Sequence, residues 1–387
     1  MIPLANLRRT FIKAFEQPLY ALKMFFIRGI DYLFYRFGTG RSFLPEAVTI
    51  FLTYLCNLRC KMCGQWGEEG VCKGFSKEEV SSQLDFAQIK KFIDEVSFYR
   101  PSITLFGGEP LLYKDFKQTF SYIKQKKLHC VLITNTSILK DYAPLLVEMG
   151  LDELNISVDG PQEIHDQIRG IPGLFKQIEE NIAYLNQCKE RLSKKKPLLH
   201  IEFTITKFNV DYMLEMVDVA RQFKATSLSF HHLIFLSNKL YVEQEKAFSG
   251  LFNASSRWWK GFVLEDTGID TTKLSENINK LQKLRIKDLQ IDIYPNIKSS
   301  EINEYYHDLS FIPSGYNKRC LSPWLTCYIF PDGTVRPCLD MEHKAGNVKD
   351  KKFLEIWNSL EFIHYRRVLK QKKLFPACVR CSELYRY

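Results

Sequence analysis

The segment AVTIFLTYLCNLRCKMC, residues 47–63, joins an apolar run to three closely spaced cysteines. The run is rich in Val, Ile, Phe and Thr and predicts a β-strand over Val48–Thr53. Cys56, Cys60 and Cys63 follow in the spacing Cys-x3-Cys-x2-Cys, which indicates that the sulfurs act together on a metal or cluster. Three thiolates are one fewer than a cubane [4Fe–4S] cluster normally takes, so one iron would stay open to a chelating small molecule.

Strand-like runs recur between Ala47 and Phe235, with helical patterns between them. The predicted strands are Val48–Thr53, Ser102–Phe106, Cys130–Thr134, Glu153–Val158, His200–Thr206 and Ser227–His232. The predicted helices are Asp85–Ser97, Asp115–Lys126, Tyr142–Met149, Leu174–Cys188 and Asp211–Phe223. Six strand–helix repeats predict an α/β fold with a parallel sheet and outer helices. Ligands of such sheets bind at the carboxyl ends of the strands.

Polar motifs follow the second, third and fourth predicted strands. In TLFGGEPLL, residues 104–112, two glycines let the backbone turn sharply, and Glu109 could accept from a ligand ammonium group. ITNTS places Asn135 at the next strand end, where an Asn also commonly caps a turn. In LNISVDG, Ser157 and Asp159 alternate with apolar residues, so their side chains share one face. The same stretch continues as PQEIHDQIRG to residue 170 and includes Arg169; the alternative interpretation is a simple turn at Asp159 and Gly160 with Arg169 on the surface.

Further polar positions lie on the fifth and sixth predicted strands. Glu202, Thr204 and Thr206 alternate with apolar residues and are expected to face the interior. One of His231 and His232 is expected to point inward, as a substrate contact, a proton carrier or a structural residue.

Taken together, the cysteine triplet and the later motifs resemble the radical S-adenosylmethionine (SAM) superfamily. The resemblance implies a partial TIM barrel, (β/α)6, and a [4Fe–4S] cluster on Cys56, Cys60 and Cys63 whose open iron binds SAM. In that family the Gly-Gly-Glu-Pro motif binds the SAM amino group, Ser-x-Asp-Gly lies near the ribose, and an Arg sits by the carboxylate. By this resemblance the residues that contact SAM are Met62, which packs near the adenine, Gly107, Gly108, Glu109, Asn135, Ser157, Asp159 and Arg169.

The C-terminal segment 316–387 holds five of the eleven cysteines. Pro-Asp-Gly between two apolar runs predicts a hairpin, and CVRC presents two sulfurs to one metal. This segment resembles the SPASM/twitch extension, in a form whose further ligands are absent because the sequence stops at Tyr387. The resemblance implies a small α+β domain with one auxiliary [4Fe–4S] cluster on Cys320, Cys338, Cys378 and Cys381. Cys327 could replace Cys320 or stay free, and a zinc site is the alternative to the cluster.

Outside these regions the sequence is less specific. Residues 1–42 carry seven Lys/Arg against two Asp/Glu, with Leu19, Leu22, Phe26, Ile30 and Leu33 at helical spacing. We expect that apolar face to pack on the main domain, with a membrane-surface helix as the alternative. The expected division is 1–45, an N-terminal helical segment, 46–235, the core, 236–315, a linker or substrate-specific insertion, and 316–387, the auxiliary domain.

Composition limits the class of protein. Net charge is +10 without a basic stripe or binding motif, so nucleic acid is not an expected partner. No signal peptide is visible, which predicts a cytoplasmic protein with reduced thiols. The expected function is therefore a radical SAM enzyme that abstracts hydrogen from a peptide, lipid or small molecule. Flavodoxin or ferredoxin would supply the electron. The alternative is a non-catalytic iron–sulfur electron-transfer or zinc-binding protein.

Overall fold

A single sheet of ten strands forms the centre of the computed structural model, which describes residues 18–387. The strands are β1 (Ala47–Phe51), β2 (Ser102–Phe106), β3 (Cys130–Thr134), β4 (Glu153–Ser157), β5 (Leu198–Thr204), β6 (Ser227–His231), β7 (Gln290–Tyr294), β8 (Thr326–Ile329), β9 (Thr334–Arg336) and β10 (Gly346–Asn347). Their order across the sheet is β10-β9-β8-β1-β2-β3-β4-β5-β6-β7. All pairs from β8 to β7 are parallel, whereas β9 and β10 are antiparallel.

The six predicted strands are confirmed, because β1 to β6 pair in sequence order within one parallel sheet. Most of their apolar side chains are buried, whereas Phe106 and Ile133 are partly buried and line a cavity on the inner face of the sheet. Two parallel strands were not predicted as part of this sheet. β7 comes from the 236–315 segment and β8 from the C-terminal segment, so both segments extend the partial TIM barrel.

Helices occupy the outside of the sheet and the C-terminal segment. They are α1 (Pro18–Phe37), α2 (Lys77–Ser81), α3 (Phe86–Val96), α4 (Phe116–Gln125), α5 (Ala143–Glu148), α6 (Gln162–Arg169), α7 (Leu174–Arg191), α8 (Met216–Gln222), α9 (Asn238–Phe252), α10 (Thr271–Lys283), α11 (Ile302–His307), α12 (Ser322–Leu325), α13 (Phe353–Trp357) and α14 (Leu360–Lys372). α3 illustrates why they form: Asp85 and Gln88 make a reciprocal capping box, and Ile89, Phe92 and Ile93 are buried.

The predicted packing of the N-terminal apolar face is wrong. Leu22, Phe26 and Leu33 are 55%, 60% and 55% exposed. α1 instead faces the protein with Met24 and Ile27, and a bidentate pair between Arg28 and Glu46 joins it to the core at 2.6 Å. The sequence carries apolar residues on both faces of this helix, and the periodicity alone does not tell them apart. The part of the same prediction that concerns residues 1–17 lies outside the described residues.

The C-terminal segment is built into the core. The hairpin predicted at Pro-Asp-Gly is confirmed by β8 and β9, which pair antiparallel through Tyr328 and Arg336. On its other side β8 pairs with β1, from Ala47 opposite Thr326 onward. The buried guanidinium of Arg366 on α14 donates to the carbonyl oxygens of Pro323 and Trp357, at 2.7 and 2.8 Å.

Candidate active site

A cavity of about 320 Å³ lies at the carboxyl ends of the parallel strands. It is lined by the cysteine loop after β1 and by residues at the ends of β2, β3, β4, β5, β6 and β7. Because these strands run parallel, their carboxyl ends lie on one side of the sheet, and residues far apart in sequence meet there. Cys56, Cys60 and Cys63 all face this cavity.

Protein groups donate hydrogen bonds to the sulfurs of the cysteine loop. Cys56 Sγ accepts from the amide of Leu58 at 3.5 Å, and Cys63 Sγ accepts from the amide of Trp66 at 3.4 Å. Burial raises the pKa of the Cys56 thiol to about 12. A bound metal reverses that preference, since thiols coordinate as thiolates. Three thiols at one cavity, two of which accept from backbone amides, fit an iron–sulfur cluster held by three protein ligands.

A buried ion pair lies next to the second cysteine. Arg169, at the end of α6, pairs with Asp159 through two guanidinium nitrogens, and the Nε–Oδ2 distance is 2.6 Å. Its Nη1 lies 3.6 Å from Cys60 Sγ, so one cation contacts both the carboxylate and the thiol. The other carboxylate oxygen of Asp159 accepts from the amide of Thr204 at 2.8 Å. Asp159 therefore holds Arg169 at the cavity wall.

The two glycines after β2 permit a close approach to the chain leaving β1. A Cβ at Gly107 would lie 2.6 Å from the carbonyl oxygen of Thr53, and one at Gly108 would lie 2.3 Å from that of Leu55. No larger residue fits either position without moving the backbone. The glycines thus bring the β2 loop beside the cysteine loop.

Glu109 lies behind this wall and is fully buried. Its carboxylate accepts from the Thr134 hydroxyl at 2.7 Å and from the amides of Asn135 and Leu111 at 2.8 and 3.1 Å. Burial raises its pKa to about 7, although each of these donors lowers it. Glu109 therefore fixes the loop that carries Asn135.

The structure brings together most, but not all, of the residues predicted for this site. Those at the cavity wall are Cys56, Cys60, Cys63, Met62, Gly107, Gly108, Asn135, Ser157 and Arg169. Glu109 and Asp159 do not line the cavity, and each instead holds a residue that does. Glu202 and Thr204 face the cavity as expected, whereas Thr206 does not and bonds to Asn209.

Both histidines of the sixth strand line the cavity, so the expectation that only one points inward is wrong. His231 is the last residue of β6, and strand alternation ends before His232. Other lining residues were not predicted, namely Gln65, Tyr294, Tyr305, Arg380, Ser382 and Tyr385. The only signal for Arg380 was its position between the two cysteines of CVRC.

The C-terminal cysteines form a second thiol group, whose members influence one another's pKa. They are Cys320, Cys338, Cys378 and Cys381. The Tyr365 hydroxyl donates to Cys338 Sγ at 3.0 Å, and the Phe375 amide donates to Cys378 Sγ at 3.4 Å. Burial raises the pKa of Cys378 to about 12. The four thiols and their donors fit a cluster with four protein ligands.

Cys327 lies apart from that group. It is a fully buried residue of β8; burial raises the pKa of its thiol, and the charge of Arg366 partly offsets this. Within residues 18–387, no three or more His, Cys, Asp or Glu side chains are arranged to hold a single metal ion.

Comparison with known proteins identifies both parts of the chain. The radical SAM superfamily matches residues 50–228, and the SPASM iron–sulfur cluster-binding domain matches residues 320–382. An AdoMet-dependent heme synthase of Oleidesulfovibrio alaskensis is 26% identical over 86% of this chain and 78% of its own. Fe-coproporphyrin III synthase of Methanosarcina barkeri is 27% identical over 90% of this chain and 86% of its own.

A solved structure supports the same fold. SuiB of Streptococcus suis superposes with a TM-score of 0.60 at 14% identity, over 85% of this chain and 69% of its own. The first family match implies SAM and a [4Fe–4S] cluster, and the second implies auxiliary iron–sulfur binding. The chain therefore belongs to the radical SAM superfamily and is an enzyme with a C-terminal SPASM domain.

Proposed function

We propose that Cys56, Cys60 and Cys63 hold the [4Fe–4S] cluster at which this enzyme cleaves SAM. When bound, the cluster supplies the electron for that cleavage, and the 5′-deoxyadenosyl radical takes a hydrogen atom from the substrate. The observation that carries the proposal is the single cavity shared by the three thiols and the ends of six strands. The protein's own contribution is to orient SAM and substrate and to exclude water.

The wall beside the cysteine loop is the proposed SAM site. Arg169 would pair with the SAM carboxylate, since a guanidinium binds a carboxylate through two parallel hydrogen bonds. Met62 and Ser157 would contact the adenine and the ribose. Glu109 and Asp159 would position the wall without contacting SAM. Glu109 accepts from the Asn135 amide, and Asp159 accepts from Arg169. The loop of Gly107 and Gly108 and the side chain of Asn135 complete this wall.

The second thiol group is the proposed site of one auxiliary [4Fe–4S] cluster. Cys320, Cys338, Cys378 and Cys381 are its ligands, and Cys327 is not. The same cavity reaches this segment through Arg380 and Ser382, which flank Cys381. A cluster there would lie beside a substrate in the cavity. The cluster could then accept an electron from the substrate or bind the substrate directly.

The substrate is proposed to be a peptide, a lipid or a small molecule. The names of the two relatives make a heme precursor the first small molecule to test. Flavodoxin or ferredoxin is the proposed electron donor. The net charge of +10 favours association with an acidic carrier.

The exposed side of α1 is the proposed contact with a membrane surface. Leu22, Phe25, Phe26, Leu33 and Phe37 are all more than half exposed along one helix. Exposed arginines lie in its last turn, at position 36, and just beyond it, at position 41, as in helices that lie on anionic lipid. Within the described residues no helix is long and apolar enough to cross a membrane.

Replacement of the first three cysteines tests the central proposal. After anaerobic reconstitution, the Cys56→Ala, Cys60→Ala, Cys63→Ala triple variant should lose about half of the iron and sulfide and all SAM cleavage, since two cubanes carry about eight irons. A matched triple variant in the buried cysteines Cys72, Cys130 and Cys188 should keep both. Cleavage to 5′-deoxyadenosine that survives in the first variant would overturn the assignment.

A further inference from the structure

Arg380 is a buried cation at the cavity wall. It is 1% exposed, and it forms no ion pair with any carboxylate of residues 18–387. Its Nη1 and Nη2 donate to the backbone carbonyls of Tyr305 and Asp308 at 2.7 and 2.6 Å. Its Nε is buried without a hydrogen-bond partner. The Asp308 carboxylate accepts from Ser310 and forms no ion pair with the guanidinium; the Ser310 hydrogen bonds and the nearby Arg380 charge both lower its pKa.

The surroundings hold this guanidinium in place. The ring centroids of Tyr305 and Phe235 lie 4.4 and 5.2 Å from its Cζ. Carbonyls and aromatic faces stabilise a cation only in part, and a buried charge without a counter-ion is unfavourable. The protein retains a rigid, positively charged group in its cavity, and an anion there would complete the ion pair.

A second unpartnered group lies near this cation. His232 is 4% exposed, its Nδ1 lies 2.9 Å from the Tyr306 hydroxyl, and its Nε2 is buried without a partner. Burial, together with the charges of His231 and Arg380, lowers the pKa of His232 to about 3. The imidazole is therefore neutral and adds one hydrogen-bonding atom to the cavity without a second charge.

These groups line the same cavity as the proposed SAM wall. β6 and β7 lie at the end of the sheet opposite β10, and His232 directly follows β6, five strands from β1 and its cysteine loop. On the basis of the proposed function, we propose that the substrate carries an anionic oxygen group, a carboxylate or a phosphate, which Arg380 binds and His232 hydrogen-bonds. The positions of Arg380 and His232 would then determine which end of the substrate faces SAM.

Three small probes test this on the holoprotein with both clusters and SAM bound. Saturation-transfer NMR should show benzoate or phenyl phosphate binding at least about 10-fold tighter than neutral benzamide, the factor that one charge-assisted pair can supply. The stronger of the two anions identifies the group. Arg380→Met should reduce both to the level of benzamide, and Arg380→Lys should keep part of the preference. Arg386→Met, at an exposed arginine paired with Glu383, is the matched control and should bind like wild type.

Two measurements made in parallel distinguish failure of the proposed function from failure of the anion site. SAM cleavage in the absence of substrate is measured in every sample. If the wild-type protein does not cleave SAM, that result contradicts the proposed function and leaves the anion site to be judged by binding. Equal binding of benzamide and both anions to wild type would overturn the proposal, whether or not the variants fold. Unchanged anion binding in Arg380→Met, with a shifted auxiliary-cluster potential, would also overturn it and assign the guanidinium to the cluster.

Discussion

The ion pair between Asp159 and Arg169 contributes to the stability of the fold and also positions Arg169 at the cavity wall. Asp159 is fully buried and the Arg169 side chain is 12% exposed, so water compensates little when one charge is lost. In Asp159→Asn, the new amide oxygen can still accept from the Thr204 amide. The amide NH2 group then faces the N–H donors of Arg169, which lose their acceptor. Breaking a buried pair in this way costs about 3–5 kcal/mol. At about 2 °C per kcal/mol, the midpoint of unfolding should fall by roughly 6–10 °C.

Thermal unfolding of the anaerobic holoprotein measures this loss, with SAM cleavage followed in parallel. The double variant Asp159→Asn, Arg169→Met leaves no unpaired charge, so it should unfold at a higher temperature than Asp159→Asn alone. Asp218→Asn is the control, because its pair with Arg221 is exposed on both sides and should contribute little. A shift below about 2 °C, or a double variant no more stable than the single one, would refute a buried pair of this strength.

Three further predictions address single features. Cys327→Ala should keep the full iron content, because the thiol packs in β8 away from the other cysteines, and a loss of about half would make it a ligand. Burial raises the pKa of Glu109 to about 7 from 4.5, so its contribution to stability is full below pH 4.5 and is lost as pH rises through 7. Glu109→Gln should remove that pH dependence of the unfolding midpoint, and an unchanged profile from pH 5 to 8 would contradict it. Phe25→Ser with Phe26→Ser should weaken co-sedimentation with phosphatidylglycerol vesicles about 10-fold, while equal sedimentation would exclude α1 as the contact.

The sequence predicted best those features that depend on residues close together along the chain. The strands are short runs rich in Val, Ile, Leu and Phe between turn signals, so β1 to β6 could be placed to within two residues. The cysteine triplet also depends only on spacing along one loop. For this reason the proposed first cluster site and the strand-end motifs could be located before the fold was known.

Features that depend on distant partners were not predictable. Arg380 reaches the cavity only because the C-terminal segment folds back against Tyr305, 75 residues earlier. The roles of Glu109 and Asp159 as supports, not wall residues, follow from hydrogen bonds across neighbouring strands. On α1, the face that packs carries Met24, Ile27 and Arg28, and the pair between Arg28 and Glu46 is a contact that periodicity does not reveal.

The pairing of β8 with β1 has a consequence for biosynthesis. Until Thr326–Ile329 has left the ribosome, β1 is an edge strand with a row of unpaired backbone groups, and the cysteine loop extends from its end. N-terminal parts of a chain generally fold first during synthesis, but here the first strand is completed by one of the last. A nascent or prematurely terminated chain therefore exposes an aggregation-prone edge beside three cysteines that have no cluster yet. Insertion of iron before the chain is finished would meet an incomplete barrel.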